Sequence, residues 1–129
     1  SITASGNMTA YSDKRLKSEV TPIADPREGI MRINTYDYKR KDKNNRNEVG
    51  VIADELLTWF PKLVSVKDVE PTELIPDGKL KTVDYQKLSC YLLEAFKAEK
   101  KRSDSMERKL SNTECRLSKI EKIIEDMEV

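Results

Sequence analysis

A serine and a lysine five positions apart, Ser12 and Lys17 in the run Ser12-Asp13-Lys14-Arg15-Leu16-Lys17, are the pair in this chain best suited to covalent chemistry. A lysine can replace histidine as the base that activates a serine nucleophile. It must then be neutral, which asks for a fall from about 10.4 toward about 7, roughly 4 kcal/mol supplied by burial and neighbouring like charge. Lys14 and Arg15 are the like charges at hand. On a regular helix, residues five apart lie about 140° apart round the axis and do not face each other. Ser12 must therefore sit off the helix, at its cap or beyond, or meet a lysine from another subunit. The plainer reading makes Ser12 a helix N-cap and Lys17 a solvated side chain.

Other chemistries are removed by composition. The 129 residues include no histidine, which excludes Ser-His-Asp and Cys-His catalysis and any zinc site using imidazole. Two cysteines, Cys90 and Cys115, cannot form a four-thiolate cage, and no metal or cofactor is expected. Lys and Arg number 24 against 23 Asp and Glu, a net charge of +1, so no strongly charged partner is implied. Residues 39–47 hold five basic side chains in nine, but no aromatics are interleaved, so the run reads as an exposed turn and not a nucleic-acid patch. No apolar run approaches the roughly 20 residues of a membrane helix. The expected setting is a soluble protein of a reducing compartment.

The elements that must position the pair are unevenly distributed. The chain is 37% hydrophobic and 36% charged, against about 45–50% and about 25% for a compact domain. It is short of core. All glycines and prolines lie between Gly6 and Gly78, so a punctuated region precedes a long uninterrupted one. Residues 1–11 read as a connector or the frayed end of something larger. Residues 12–20 predict one short helix with Ser12 as N-cap, broken by Pro22 and Pro26. Ile30 to Ile33 suggest a turn of helix, and Thr35 to Tyr38 a strand. Residues 49–52 read as a buried strand, and 53–60 as a short amphipathic helix stopped by Pro61. Residues 63–66 and 79–83 look like strands of a protruding hairpin arm at about 62–83. The mixed region thus spans 12–83.

Asp84 is placed as the cap of a helix running over 84–129, which at 1.5 Å per residue would be about 69 Å long. Such a helix must fold back or find other chains. With Phe96 at heptad position a, that series continues through Ser103, Leu110, Leu117 and Ile124, and the d series runs Leu92, Glu99, Met106, Thr113, Ile120 and Met127. The flanking g and e residues pair Arg102 with Glu107, Lys109 with Glu114 and Arg116 with Glu121 in a parallel arrangement, all opposite in sign. Leu117 at a with Ile120 at d favours three or four strands over two. The expected fold is therefore α+β: a small mixed region with a hairpin arm, then a long helix forming a parallel trimeric coiled coil. Its seam residues are Phe96, Met106, Leu110, Leu117, Ile120 and Ile124. The competing arrangement is an antiparallel helical hairpin broken at Ser103-Asp104-Ser105, where Asp104 and Glu107 resemble a capping box.

The run Ser12 to Val20, followed by Pro22-Ile23, Tyr36-Asp37-Tyr38, Glu48-Val49-Gly50-Val51-Ile52-Ala53, Phe60-Pro61 and Val83-Asp84-Tyr85, resembles the peptidase S74 family. This is the C-terminal intramolecular chaperone, or auto-processing, domain of phage tail spikes, tail fibres and neck appendages. It is also similar to the self-cleaving segment of a membrane-bound animal transcription factor. The likeness spans roughly Ser12 to Phe96; Asp54 departs from the glutamine common in the family. It implies a homotrimer that registers an upstream fibre domain of the same polypeptide and then cuts itself off in a single turnover, acting in the host cytoplasm during virion assembly. It maps the nucleophile onto Ser12 and the base onto Lys17, with the cut among Tyr11, Ser12 and Asp13. Attack by Ser12 on the Tyr11 carbonyl passes through a five-membered ring and breaks Tyr11–Ser12. Cleavage of Ser12–Asp13 would require a nucleophile from elsewhere, across the trimer for instance. A non-catalytic trimerisation or attachment module is the alternative function.

Overall fold

A computed structural model describes residues 10–128; most of the expected connector, 1–9, and the last residue of the expected helix lie outside the described residues. Besides short 3-10 turns, the described residues form two antiparallel hairpins, two short helices and one long helix: α1 (Arg27–Arg32), β1 (Tyr36–Arg40), β2 (Arg46–Gly50), α2 (Ala53–Leu56), β3 (Val64–Asp68), β4 (Lys79–Val83) and α3 (Tyr85–Met127).

The expected helix over 12–20 is a single 3-10 turn, Lys14–Leu16, and its N-cap is Asp13, not Ser12. Leu16 is exposed, so the segment has no apolar face to bury and nothing to extend the turn. Residues 39–47 are mostly hairpin. β1 pairs with β2 from Tyr36 opposite Gly50 to Arg40 opposite Arg46. The reversal is made by Asn44 and Asn45, both left-handed at φ 53 and 56, a conformation asparagine tolerates better than most residues. Val49 is exposed, so the strand expected to be buried at 49–52 has only Gly50 and Val51 partly covered. The helix expected over 53–60 closes after Leu56 and continues as a turn to Phe60.

The hairpin expected in the arm is present, with Val64 opposite Val83 and Asp68 opposite Lys79. Asp84 caps α3 as expected, its side chain accepting from the Lys87 amide. α3 then runs 43 residues without a break. The antiparallel break at Ser103 to Ser105 does not occur.

The core is small. Leu56, Phe60 and Leu63 are buried, with Ile30, Ile33, Val51, Val64, Val83, Leu88 and Tyr91 packed around them. Leu56 and Phe60 are one helical turn apart, so a single side of the α2 segment points inward. α3 closes the other side through Leu88, Tyr91 and the buried Ala95. The Phe60 and Tyr91 rings lie 4.7 Å apart at a tilt of 49°, an arrangement within the favoured range for aromatic pairs. Gly29 in α1 lets that helix approach closely, because a Cβ there would lie 2.6 Å from Phe60 Cζ. C-terminal to Ala95, no residue of α3 is buried.

Candidate functional site

The pair singled out from the sequence is brought together: Lys17 Nζ donates a hydrogen bond to Ser12 Oγ at 2.9 Å. The geometric obstacle of a five-residue spacing is removed because no regular helix joins the two. Ser12 precedes the turn, and Lys17 follows it in extended conformation (φ −115, ψ 138). Two backbone bonds close the turn, Leu16 N to Asp13 O at 3.0 Å and Lys17 N to Lys14 O at 3.1 Å. The Lys17 side chain is thereby returned toward the residue ahead of the cap.

Asp13 organises the same turn. Its Oδ1 accepts from the Arg15 amide at 2.9 Å and from Arg15 Nε at 3.1 Å, while Oδ2 accepts from Arg15 Nη2 at 2.8 Å. The side-chain bond from the guanidinium, reinforced by the amide, holds the Asp13 carboxyl below its usual range. Sequence patterning did not predict this clamp; an acidic N-cap with arginine two positions on is the signal that points to it. Tyr11, Ser12, Asp13 and Lys17 are all exposed in the single chain.

The chain turns at Glu19, which has a φ of 53, and then runs without regular secondary structure to the buried Pro26. Over Thr21 to Pro26 it borders a groove that Trp59, Phe60 and Tyr91 also line. The dyad segment is thus tied to the core through its C-terminal side.

The remaining blocks noted in the sequence meet in space. Val51 N donates to Tyr85 Oη at 3.1 Å, joining the end of β2 to the first residue of α3. Gly50 makes room for that phenol, since a Cβ there would lie 2.4 Å from Tyr85 Oη. Asp54 forms an ion pair with Lys81 of β4. Asp84 N donates to Leu63 O at 2.8 Å, fixing α3 to the start of β3.

Two of the five basic side chains in the run 39–47 are ion-paired within the hairpin. Arg40 pairs with Asp42 at 2.5 Å, and Arg46 with Glu48 at 2.5 Å. The expected seam residues Phe96, Met106, Leu110, Leu117, Ile120 and Ile124 all lie exposed along α3. Glu99, at a d position of the heptad, bonds to Arg102 at 2.7 Å and to Arg27 of α1 at 3.3 Å. Both cysteines are exposed. Among the described residues no cluster of His, Cys, Asp and Glu could hold a metal ion, and no helix is long and apolar enough to cross a membrane.

Three comparisons bear on this arrangement. No curated protein matches the chain. A solved structure described as that of a novel intramolecular chaperon has a similar fold, with a TM-score of 0.51 and 19% identity, over 70% of this chain and 99% of the other. The sequence pattern of the Peptidase_S74 family, described as chaperone of endosialidase, matches residues 12–65. That segment holds both members of the dyad, the first hairpin and the Gly50–Val51 corner. Over residues 12–65 this chain is therefore similar to the peptidase S74 family, described as chaperone of endosialidase.

Proposed function

We propose that this chain is an intramolecular chaperone that trimerises through α3, registers an upstream fibre of the same polypeptide, and then releases itself by cutting next to Ser12. The observation that carries the reading is the 2.9 Å bond between Lys17 Nζ and Ser12 Oγ, a nucleophile and a base within the reach that proton transfer requires.

In the reaction, the Lys17 amine takes the proton of the Ser12 hydroxyl as Oγ attacks the Tyr11 carbonyl carbon. The Tyr11–Ser12 C–N bond breaks as the Lys17 ammonium returns that proton to the Ser12 nitrogen, which leaves as an amine and takes a further proton from water. The resulting ester between Tyr11 and Ser12 Oγ is hydrolysed by water, which gives a Tyr11 carboxylate and restores the serine hydroxyl. A lysine acts as a base only as the free amine, a form that burial and like charge favour. The dyad is exposed in the single chain, so the cover comes from neighbouring copies, and cleavage follows assembly.

The exposed stripe on α3 supports three chains. Leu117 at a and Ile120 at d are the combination that favours more than two strands. Lys109, Glu114, Arg116 and Glu121, which flank the seam, form no ion pair within the chain among the described residues. They are free to pair between chains. Aligning three chains at this rod reduces the association and loop-closure entropy that an upstream fibre would otherwise face. Cutting then removes the helper and leaves the fibre kinetically trapped.

The test is a chain extended upstream by its fibre segment. Wild type should cut itself without added protease, and the released piece should begin at Ser12. Ser12→Ala and Lys17→Ala should each leave a trimer with the upstream segment attached. Normal cutting by either variant overturns the dyad. The exposure of Ser12 favours the second reading, a non-catalytic trimerisation module, and an intact wild-type trimer would establish it.

A further inference from the structure

We infer that Arg15 is a positioning residue of the self-cleavage site: it occupies both oxygens of the Asp13 carboxylate, so that the Lys17 amine bonds to Ser12 and not to Asp13. This rests on the proposed self-cleavage. It assigns a role to a side chain that touches neither Ser12 nor the bond to be broken.

Asp13 adjoins the nucleophile and caps the turn that brings Lys17 back to it. An anion placed there is a competitor. Left unpaired, it would attract the lysine as an ammonium ion and hold it in the form that cannot accept a proton. The guanidinium prevents this geometrically, with Nε on Oδ1 at 3.1 Å and Nη2 on Oδ2 at 2.8 Å. Such a fork saturates a carboxylate in a way a single ammonium does not. Lys17 forms no ion pair among the described residues, and its Nζ is directed to Ser12 Oγ. The other charged side chains of this exposed segment are Lys14 and Glu19, and Glu19 lies beyond the turn. A three-residue 3-10 turn is weak by itself, so the same fork also steadies the cap.

The two effects separate in one experiment on the full chain with its upstream segment. The rate of self-cleavage is followed against pH for wild type, Arg15→Ala, Asp13→Asn and the Asp13→Asn/Arg15→Ala double variant. Asparagine keeps the cap but removes the competing charge. Arg15→Ala should raise the pH of half-maximal cleavage by about one unit or more, which is about a tenfold loss of rate below that midpoint. The double variant should return the midpoint toward wild type.

An Arg15→Ala profile that coincides with wild type overturns the inference. A shift that the added Asp13→Asn does not reverse also overturns it, because the guanidinium would then only be bracing the turn. Circular dichroism and light scattering check that each variant keeps its helix and oligomer size. If Arg15→Ala does not, Arg15→Lys replaces it; one ammonium covers the carboxylate incompletely, so a smaller upward shift supports the inference and none overturns it. Failure of wild type to cut, or cutting by Ser12→Ala, would remove the proposed function and Arg15's role with it. Cutting by wild type and not by Ser12→Ala, with an unshifted Arg15→Ala profile, removes only the latter.

Discussion

The phenolic oxygen of Tyr85 lies 3.1 Å from the amide nitrogen of Val51 and accepts its hydrogen. Gly50, beside that amide, has no Cβ to obstruct the approach. The first residue of the long helix and the end of the first hairpin are therefore fastened at a corner where backbone and ring nearly touch.

Tyr85→Phe should remove this bond at a cost of about 1 kcal/mol. Gly50→Ala should cost about 1–3 kcal/mol, because its methyl group takes the position of the phenolic oxygen. Thermal unfolding compared at equal protein concentration measures both. A Gly50→Ala chain as stable as wild type would show that the corner is slack.

Gly29 and Phe60 should behave as a coupled pair. Gly29→Ala places a methyl against the buried ring and should destabilise by about 1–3 kcal/mol. Phe60→Leu opens space there, so the double variant should lose less than the sum of the two single losses. Denaturant unfolding of the four proteins gives the coupling energy, and strict additivity would contradict the close contact.

Leu117→Asp with Ile120→Asp should convert a trimer to single chains, since each places a charge in an apolar layer. Sedimentation equilibrium reads this directly. Helix content should fall mainly in the distal half of α3, where nothing in the single chain covers the helix. A trimer that survives both changes would place the association elsewhere.

Acid should loosen the joint between α1 and α3. Bonds from Arg102 first, and then Arg27, hold the Glu99 carboxyl below its ordinary 4.5, and Arg27 holds Asp25 below its ordinary 3.8. A carboxyl depressed in the folded chain stabilises it fully above the ordinary value and loses that contribution as pH falls through the lower, folded value. The melting temperature at low salt should therefore drop as pH falls from about 5 to about 3. In Glu99→Gln the drop should be shallower. An equally steep drop would show that other carboxyls carry the acid response.

Local rules found the long helix and its cap. An acidic residue precedes a stretch free of glycine and proline, and Asp84 accepts the Lys87 amide as such a cap should. The second hairpin was legible too, because Leu63 to Val66 and Lys79 to Val83 alternate and are separated by turn residues. The first hairpin was legible only in part: the strands expected at Thr35 to Tyr38 and at 49–52 overlap its two strands, but their extension into the charged run and their pairing were not expected. Its strands are Tyr36–Arg40 and Arg46–Gly50, rich in lysine, arginine, asparagine and glutamate, residues with little intrinsic preference for strand. Cross-strand ion pairing and the left-handed Asn44-Asn45 reversal supply what side-chain propensity does not.

The candidate site was legible as a pair of residue types and not as a geometry. Regular helical spacing puts Ser12 and Lys17 on different faces. Only the shift of the cap by one residue to Asp13, and the shrinking of the helix to a single turn, lets Lys17 come back. That shift depends on Arg15 reaching its own neighbour's carboxylate, a contact two residues apart that amphipathic patterning does not register.

The opening turns of α3 carry a second consequence. Leu88, Tyr91 and Ala95 are wall material for the small core, so the head is not a separable unit to which a rod has been appended. A polypeptide shortened ahead of Ala95 should be left with an open, sticky half-shell, whereas one ending soon after Lys100 should still close. During synthesis the head must wait for the base of its own stalk. In the proposed trimer, closure of the head and the meeting of three stalks would both wait for α3 to emerge.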